Sequence, residues 1–238
     1  MVCSHMNSSE KDNQTLIDFW NQALTMSEEN KEELKQYGES DWIELVPSGK
    51  LFDAVKELSN KKKVLDYGCG SGWAAIVASK SGAQDVTAVD VIKDGIEAVK
   101  LYADAFKANI NALYIKPNWL SKQPSETYDG IVCSNVLDVV PLDTSKEIIK
   151  ELSRVATQDA DIVIGLNFYL DEETANKRGM KFENGNYLYV NGVLRLVNLS
   201  DKEWEELFSP YFNIVKLDYF AWPGETKETR RLFYLKKK

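Results

Sequence analysis

Residues 64–72 read Val-Leu-Asp-Tyr-Gly-Cys-Gly-Ser-Gly, and this stretch decides how the rest of the chain is interpreted. The apolar pair at its start follows the charged run 61–63 and predicts a short buried strand. Glycines at alternate positions then predict a sharp turn, because glycine accepts positive φ angles and lets a ligand lie against bare backbone. The apolar pattern of residues 73–79 predicts a helix directly after the turn.

Short apolar runs and amphipathic helices alternate beyond this turn. Strands are predicted at 64–66, 86–90, 112–115, 128–133 and 161–166, and helices at 73–79, 96–106 and 143–156. This alternation predicts a doubly wound α/β fold, with helices on both faces of a mostly parallel sheet. Ligands of such sheets bind at the carboxyl ends of the strands. Asp90 ends the second strand, 18 residues after Gly72, where its carboxylate can accept both hydroxyls of a ribose.

The flanking segments predict a cap and an insertion around a single structural domain. Residues 7–60 read as an N-terminal helical cap, and residues 61–238 as the main domain, with 167–199 as a lid-like insertion. The Asn-Gly pair at 191–192, between strand-like runs, predicts a β-hairpin within that insertion. Strands at 213–220 and 231–235 are expected to pair antiparallel at the end of the chain.

The residue composition limits which kinds of catalytic or metal site and which partners the chain can have. The first residues, 1–6, look like a cloning remnant, so Cys3 and His5, the single histidine, are set aside. Without histidine, Ser-His-Asp triads and most zinc sites are excluded, and no metal is expected. Cys69 and Cys133 have no CxxC companion, which favours a reducing compartment, and a cytoplasmic location is expected. No apolar run is long enough to cross a bilayer, and the net charge of −8 disfavours a nucleic-acid partner.

Two nucleotide-binding motifs compete for the glycine-rich turn. The nicotinamide fingerprint is Gly-x-Gly-x-x-Gly, and counting from Gly68 places Trp73 where its third glycine belongs. Counting from Gly70 places Ala75 there, which is allowed but leaves Asp66 unexplained. The order acid-x-Gly-x-Gly-x-Gly instead resembles the first motif of class I S-adenosylmethionine-dependent methyltransferases of the small-molecule type. The later run 134–138, Ser-Asn-Val-Leu-Asp, also resembles a segment of that family.

The resemblance implies a seven-stranded sheet whose last strand is antiparallel, and S-adenosylmethionine as cofactor. It implies that the turn holds the methionine part, with Asp66 near the amino group, and that Asp90 holds the ribose. Asn118 takes the place of an acid that the family usually offers to the adenine. The cofactor-binding residues expected in this way are Asp66, Gly68, Cys69, Gly70, Gly72, Asp90, Val91, Ile92, Asn118, Trp119, Ser134, Asn135 and Trp20.

Methyl transfer from a sulfonium is a direct displacement, so alignment of the reactants supplies much of the rate. A general base matters only when the nucleophile carries a proton that it cannot lose alone, and Asp138 or a tyrosine is the candidate for that role. Trp42, Tyr169 and Trp222 are expected to line a largely apolar substrate chamber, where aromatic rings can stabilise a cationic sulfonium.

The run 134–137 stands where methyltransferases of nucleic-acid bases carry Asn-Pro-Pro-aromatic, and Cys133 follows valine rather than proline. Together with the acidic charge, this predicts a small-molecule acceptor and S-adenosylhomocysteine as the product. The alternatives are an RNA or protein methyltransferase of the same fold, a nicotinamide-dependent oxidoreductase, and a non-catalytic protein that keeps the cofactor pocket. The accepting atom and the oligomeric state stay open.

Overall fold

The structure is a computed structural model that describes residues 8–34 and 36–238; the predicted remnant 1–6, with Cys3 and His5, lies outside these ranges. Helices are α1 (Ser8–Ala23), α2 (Glu28–Leu34), α3 (Gly49–Lys56), α4 (Trp73–Ser81), α5 (Lys93–Ala105), α6 (Leu142–Val155), α7 (Glu172–Lys177) and α8 (Asp201–Phe208). Strands are β1 (Lys63–Tyr67), β2 (Asp85–Asp90), β3 (Ile110–Tyr114), β4 (Tyr128–Ser134), β5 (Ala156–Leu166), β6 (Lys181–Glu183), β7 (Tyr187–Val190), β8 (Val193–Val197), β9 (Phe212–Phe220) and β10 (Arg230–Lys237). Within the described ranges, no helix is both long and apolar enough to span a membrane.

Seven strands form the main sheet, in the order β3-β2-β1-β4-β5-β10-β9. The first five strands of the chain pair in parallel, and β10 runs antiparallel to both β5 and β9. The predicted mostly parallel sheet with a final antiparallel strand is therefore confirmed. β1 lies between β2 and β4, so the strand order reverses at its carboxyl end, where doubly wound sheets bind their ligands.

Both faces of this sheet are covered by helices. Side chains alternate along β1, as the two-residue period of a strand requires. Leu65 and Tyr67 belong to the core cluster that α6 and α8 cover with Leu152 and Trp204. Val64 belongs to a second cluster, which is built with residues of α3, α4 and α5. The two apolar layers confirm the doubly wound arrangement.

The chain leaves the main sheet after β5 and returns to it at β9, after α8. This inserted segment (residues 167–199) contains α7 and a small antiparallel sheet in the order β6-β7-β8. The turn between β7 and β8 has φ angles of 52° at Asn191 and 77° at Gly192, as a two-residue hairpin of this sequence requires. α7 and β6 are absent from the sequence-based prediction, because elements this short carry too little periodicity to be seen.

One buried arginine fastens both ends of the inserted segment. Arg231 of β10 is only 2% exposed. Its guanidinium donates to the carbonyl of Asn167 at 2.7 Å and to the carbonyl of Leu199 at 2.8 Å. Its Nε donates to Asp201 at 2.7 Å, at the start of α8. Arg231 therefore ties both ends of the inserted segment to β10 and to the start of α8.

We expect Arg231→Met to lower the free energy of unfolding by about 3 kcal/mol, because two buried carbonyls lose their donors. The measurement is urea unfolding followed by circular dichroism. Lys236→Met, on the same strand, is the matched control, since Lys236 is half exposed and pairs with Asp161 on the surface. That control should lose less than about 1 kcal/mol. Equal losses in the two variants would contradict the role of Arg231.

Candidate active site

The glycine-rich turn is held against the end of β2 by backbone hydrogen bonds. The carbonyl of Val89 accepts from Gly68 N at 2.8 Å and from Cys69 N at 3.1 Å. Gly68 has a φ of 71°, and a Cβ there would lie 2.2 Å from Val136 Cγ2. Gly70 has a φ of 53°, but a Cβ there would meet nothing within 4 Å. The turn therefore needs glycine for its conformation, and at Gly70 it presents bare backbone to open space.

Asp90 joins the two loops that follow β1 and β2. Its carboxylate accepts from Gly70 N at 2.8 Å through one oxygen and from Ile92 N at 2.9 Å through the other. The side chain is 7% exposed, and burial raises the pKa of Asp90 against the opposing effect of these hydrogen bonds. Each oxygen keeps a second lone pair for a ligand hydroxyl.

Asp66 lies beside Asp90 in the same wall. One carboxylate oxygen accepts from Ala75 N, at the start of α4, at 3.0 Å. Burial raises the pKa of Asp66 to about 7; the hydrogen bond from Ala75 lowers it, and the nearby Asp90 raises it further. Two buried carboxylates side by side disfavour their own ionisation and favour a cationic ligand.

A cavity of about 590 Å³ opens at this turn and extends to the inserted segment. Many residues predicted to bind the cofactor line it. They are Asp66, Gly68, Cys69, Gly70, Asp90, Val91, Ile92, Ser134, Asn135 and Trp20. Trp222, predicted to line the substrate chamber, also lies in the wall.

Helix α1 covers the cavity from outside. Leu16, Ile17 and Trp20 contribute its apolar side to the lining. Three polar contacts attach the helix and the residues just after it to the body of the protein. They are Asn13 Nδ2 to Thr144 Oγ1 at 3.2 Å, Tyr189 OH to Asp12 at 3.0 Å, and Thr25 Oγ1 to Asp94 at 2.5 Å. The cavity thus lies between α1, the inserted segment and the main sheet, and is partly open to solvent.

The polar end of β4 is linked to the beginning of the inserted segment. The Ser134 hydroxyl donates to Asn135 Oδ1 at 3.2 Å, and Asn135 Nδ2 donates to Asn167 Oδ1 at 3.0 Å. The same Asn167 oxygen accepts from Arg230 Nη1. This chain of side chains fixes one wall of the cavity across β4, β5 and β10.

Three residues predicted to bind the cofactor lie outside the cavity lining. A Cβ at Gly72 would lie 2.7 Å from Val99 Cγ2, so this glycine serves the close packing of the turn against α5. Asn118 and Trp119 begin a short turn after β3, and Trp119 packs against the main core. Ile115 and Pro117, which precede them, contribute to the cavity wall in their place.

The structure does not bring Trp42 or Tyr169 to the cavity. Trp42 stacks on Phe52 of α3, with 6.1 Å between ring centroids, and packs against the core formed with α4. Tyr169 is 55% exposed at the surface of the inserted segment. The three aromatic residues predicted to line the chamber therefore lie in three different places. Trp42 packs in the core, Tyr169 lies at the surface, and Trp222 lines the cavity.

Asp138 lies behind the cavity wall rather than in it. The side chain is fully buried, and one carboxylate oxygen accepts from Asn167 N at 2.5 Å. The other oxygen has no hydrogen-bond partner among the described residues. Burial raises the pKa of Asp138. The chain turns this carboxylate inward, while Val139 and Val140 line the cavity, so the structure does not place Asp138 where a base would contact an acceptor.

The chamber also contains cations that sequence analysis did not single out. Arg178, Arg195 and Arg230 line it alongside the aromatic and aliphatic side chains. These three arginines stand in a lining that is otherwise largely apolar, as expected. One signal was present in the sequence, since Arg195 is a lone cation within the apolar run 193–197.

The glycine-rich turn lies at the switch point of a doubly wound sheet, and two acids line the cavity beside it. This arrangement is typical of nucleotide-binding α/β proteins. A model of the methyltransferase domain matches residues 42–197. The chain therefore belongs to the class I S-adenosylmethionine-dependent methyltransferase family.

A ribosomal protein L11 methyltransferase from Thermotoga petrophila is 32% identical over 114 residues, which are 48% of this chain and 40% of that protein. The chain thus matches less than half the length of this relative. Two solved structures share the fold. The 1,6-didemethyltoxoflavin-N1-methyltransferase of Burkholderia thailandensis has a TM-score of 0.71 at 14% identity, over 99% of this chain and 93% of that one. A ribosomal protein L11 methylase from Lactobacillus delbrueckii subsp. bulgaricus has a TM-score of 0.54 at 18% identity, over 80% and 78%.

The raised pKa of Asp66 predicts a pH dependence of stability. The native state holds this proton more tightly than the unfolded chain, whose aspartate pKa is about 3.9. The contribution of Asp66 to the free energy of unfolding is therefore greatest below about pH 4 and falls as the pH rises through 7. We expect Asp66→Asn to gain stability relative to the parent protein between pH 5 and pH 8, in urea unfolding without cofactor. Parallel pH curves for the two proteins would contradict this.

Proposed function

We propose that this protein binds S-adenosylmethionine at the turn 68–72 and transfers its methyl group to a small-molecule acceptor, releasing S-adenosylhomocysteine. The observation that carries the proposal is the continuous cavity from this turn to a chamber covered by α1 and the inserted segment. Its volume of about 590 Å³ lies within the range of small-molecule sites, roughly 300–1,000 Å³.

The residues at the turn fit this cofactor. Gly70 leaves room for a ligand against its backbone. Asp90 keeps lone pairs for the hydroxyls of a ribose, while its hydrogen bonds to Gly70 N and Ile92 N fix its orientation. Asp66 offers a buried carboxylate to the cationic amino group, which would offset the cost of its ionisation. Val91 and Ile92 supply apolar contacts for the adenine.

When bound, the cofactor supplies an activated methyl group and a neutral leaving group. The residues of this chain then have to align the acceptor with the methyl group and to exclude water from the site. Asp66 and Asp90 hold one end of the cavity, and Trp20 closes it from α1. Alignment of the acceptor with the methyl group supplies much of the rate of a displacement. Asp138 acts as a positioning residue, because its carboxylate holds the backbone of Asn167.

The name of the Thermotoga petrophila relative denotes a protein substrate, which makes a protein acceptor the main rival. In this chain, α1 lies across the outer side of the cavity and is attached by Asn13 and Asp12. A protein side chain would have to reach the turn through a cavity that this helix partly covers. The cover therefore favours an acceptor small enough to be enclosed.

The first experiment is calorimetric titration with S-adenosylmethionine and S-adenosylhomocysteine, with reduced nicotinamide cofactor as the control. We expect micromolar binding of both adenosyl compounds and none of the nicotinamide. Asp90→Ala should weaken binding at least tenfold, because the turn loses its anchor and the ribose its acceptor. Folded protein that binds neither adenosyl compound would overturn the proposal. Acceptors, including ribosomal protein, are then screened by release of S-adenosylhomocysteine.

A pair of glycine variants separates ligand contact from backbone strain. Gly70 and Gly185 both have positive φ angles, 53° and 81°, and a Cβ at either position meets nothing within 4 Å. Only Gly70 lines the cavity, whereas Gly185 lies in the turn between β6 and β7. Gly70→Ala and Gly185→Ala should each lose roughly 1–2 kcal/mol of stability. Only Gly70→Ala should bind S-adenosylhomocysteine at least tenfold more weakly, and equal affinities would exclude a ligand at Gly70.

A further inference from the structure

Arg195 is a cation that the inserted segment contributes to the chamber. It lies in the middle of β8, is half-buried and lines the cavity. Its guanidinium lies over the ring of Phe19, 4.3 Å from the centroid, and 5.8 Å from that of Trp20. Both rings belong to α1, so the cation is held between the inserted segment and the helix that covers the cavity.

The charge of Arg195 has no counter-ion among residues 8–34 and 36–238. Burial lowers the pKa of Arg195, and no carboxylate acts in the opposite direction. The other two arginines of the chamber differ in this respect. Arg230 donates to both oxygens of Glu225 at 2.7–3.1 Å, and Arg178 lies close enough to lower the pKa of Glu225 further. A half-buried cation with aromatic neighbours and no carboxylate is a costly arrangement unless a ligand completes it.

The charged residues of the cavity lining come from different parts of the fold. Asp66 and Asp90 lie at the turn, where the proposed cofactor would bring a cation. Arg195 lies in the part contributed by the inserted segment, where the acceptor would lie. An anionic acceptor would therefore be attracted by Arg195 and repelled by the two carboxylates at the turn.

We propose that Arg195 binds the carboxylate of an acceptor that is otherwise apolar, so that this protein methylates a small organic acid at a position away from its acid group. The inference rests on the proposed function. One unpaired guanidinium matches one negative charge, and its planar donors suit the two oxygens of a carboxylate. The surrounding lining suits an apolar body, since it is formed by Val139, Val140, Met180 and Val190.

The test is calorimetric binding to protein saturated with S-adenosylhomocysteine, in a chloride-free buffer. The probes are benzoate, 3-phenylpropanoate and octanoate, each paired with its neutral amide, and phenyl phosphate as a dianion. We expect at least one acid to bind tenfold or more tightly than its amide. Arg195→Met should abolish this preference while the apolar contacts remain, and Arg195→Lys should keep part of it. Lys177→Met removes one positive charge from α7 of the same inserted segment, outside the cavity lining, and should leave the preference unchanged.

Each outcome has a distinct meaning. Acids that bind no better than their amides, or that do not bind, overturn the inference, and so does a preference that survives in Arg195→Met. Tighter binding of phenyl phosphate than of every acid overturns the choice of a carboxylate. S-Adenosylhomocysteine should bind all variants equally, which also shows that they are folded. Loss of that binding from the parent protein would instead defeat the proposed function, so the two failures are distinguishable.

Discussion

The carboxylate of Asp90 is the constraint on which the site depends. It accepts from Gly70 N and Ile92 N and so binds the loop after β1 to the loop after β2. The carbonyl of Val89 reinforces the same junction through Gly68 N and Cys69 N. Because β1 is the strand at which the sheet order reverses, this junction opens directly into the cavity. A buried acid is tolerated here because backbone donors satisfy it.

A second buried network holds the start of the inserted segment against the main sheet. Asn167, where the inserted segment leaves β5, donates its N–H to Asp138 and gives its carbonyl to Arg231. Its side chain accepts from Asn135 and Arg230. One residue thus gathers contacts from the loop after β4 and from β10. Successive side chains of β10 point to opposite faces of the sheet. Arg230 therefore lines the cavity, while Arg231 donates to the carbonyls of Asn167 and Leu199.

The sequence predicts a feature well when that feature depends on residues close together in the chain. The turn, Asp66 and Asp90 depend on one strand, its glycines and the next strand, and their arrangement could be read from residues 64–90. Asn118 depends on the path of a loop, and Trp42 on the helix against which it packs, so pattern alone does not place them. Arg195 depends on the docking of α1 against β8, a contact between segments far apart in the chain.

The two ends of the cavity come from separate parts of the chain. The turn end is built by β1, β2 and β4, whose side chains also form the core of the sheet, so their variation is costly. The chamber end is built by α1 and the inserted segment, which Arg231 holds at both of its ends and which carries its own small core around Leu170, Leu188 and Leu196. The fold is modular in this sense: the chamber end can be remodelled or exchanged in evolution, or by design, while the turn end and its sheet stay unchanged.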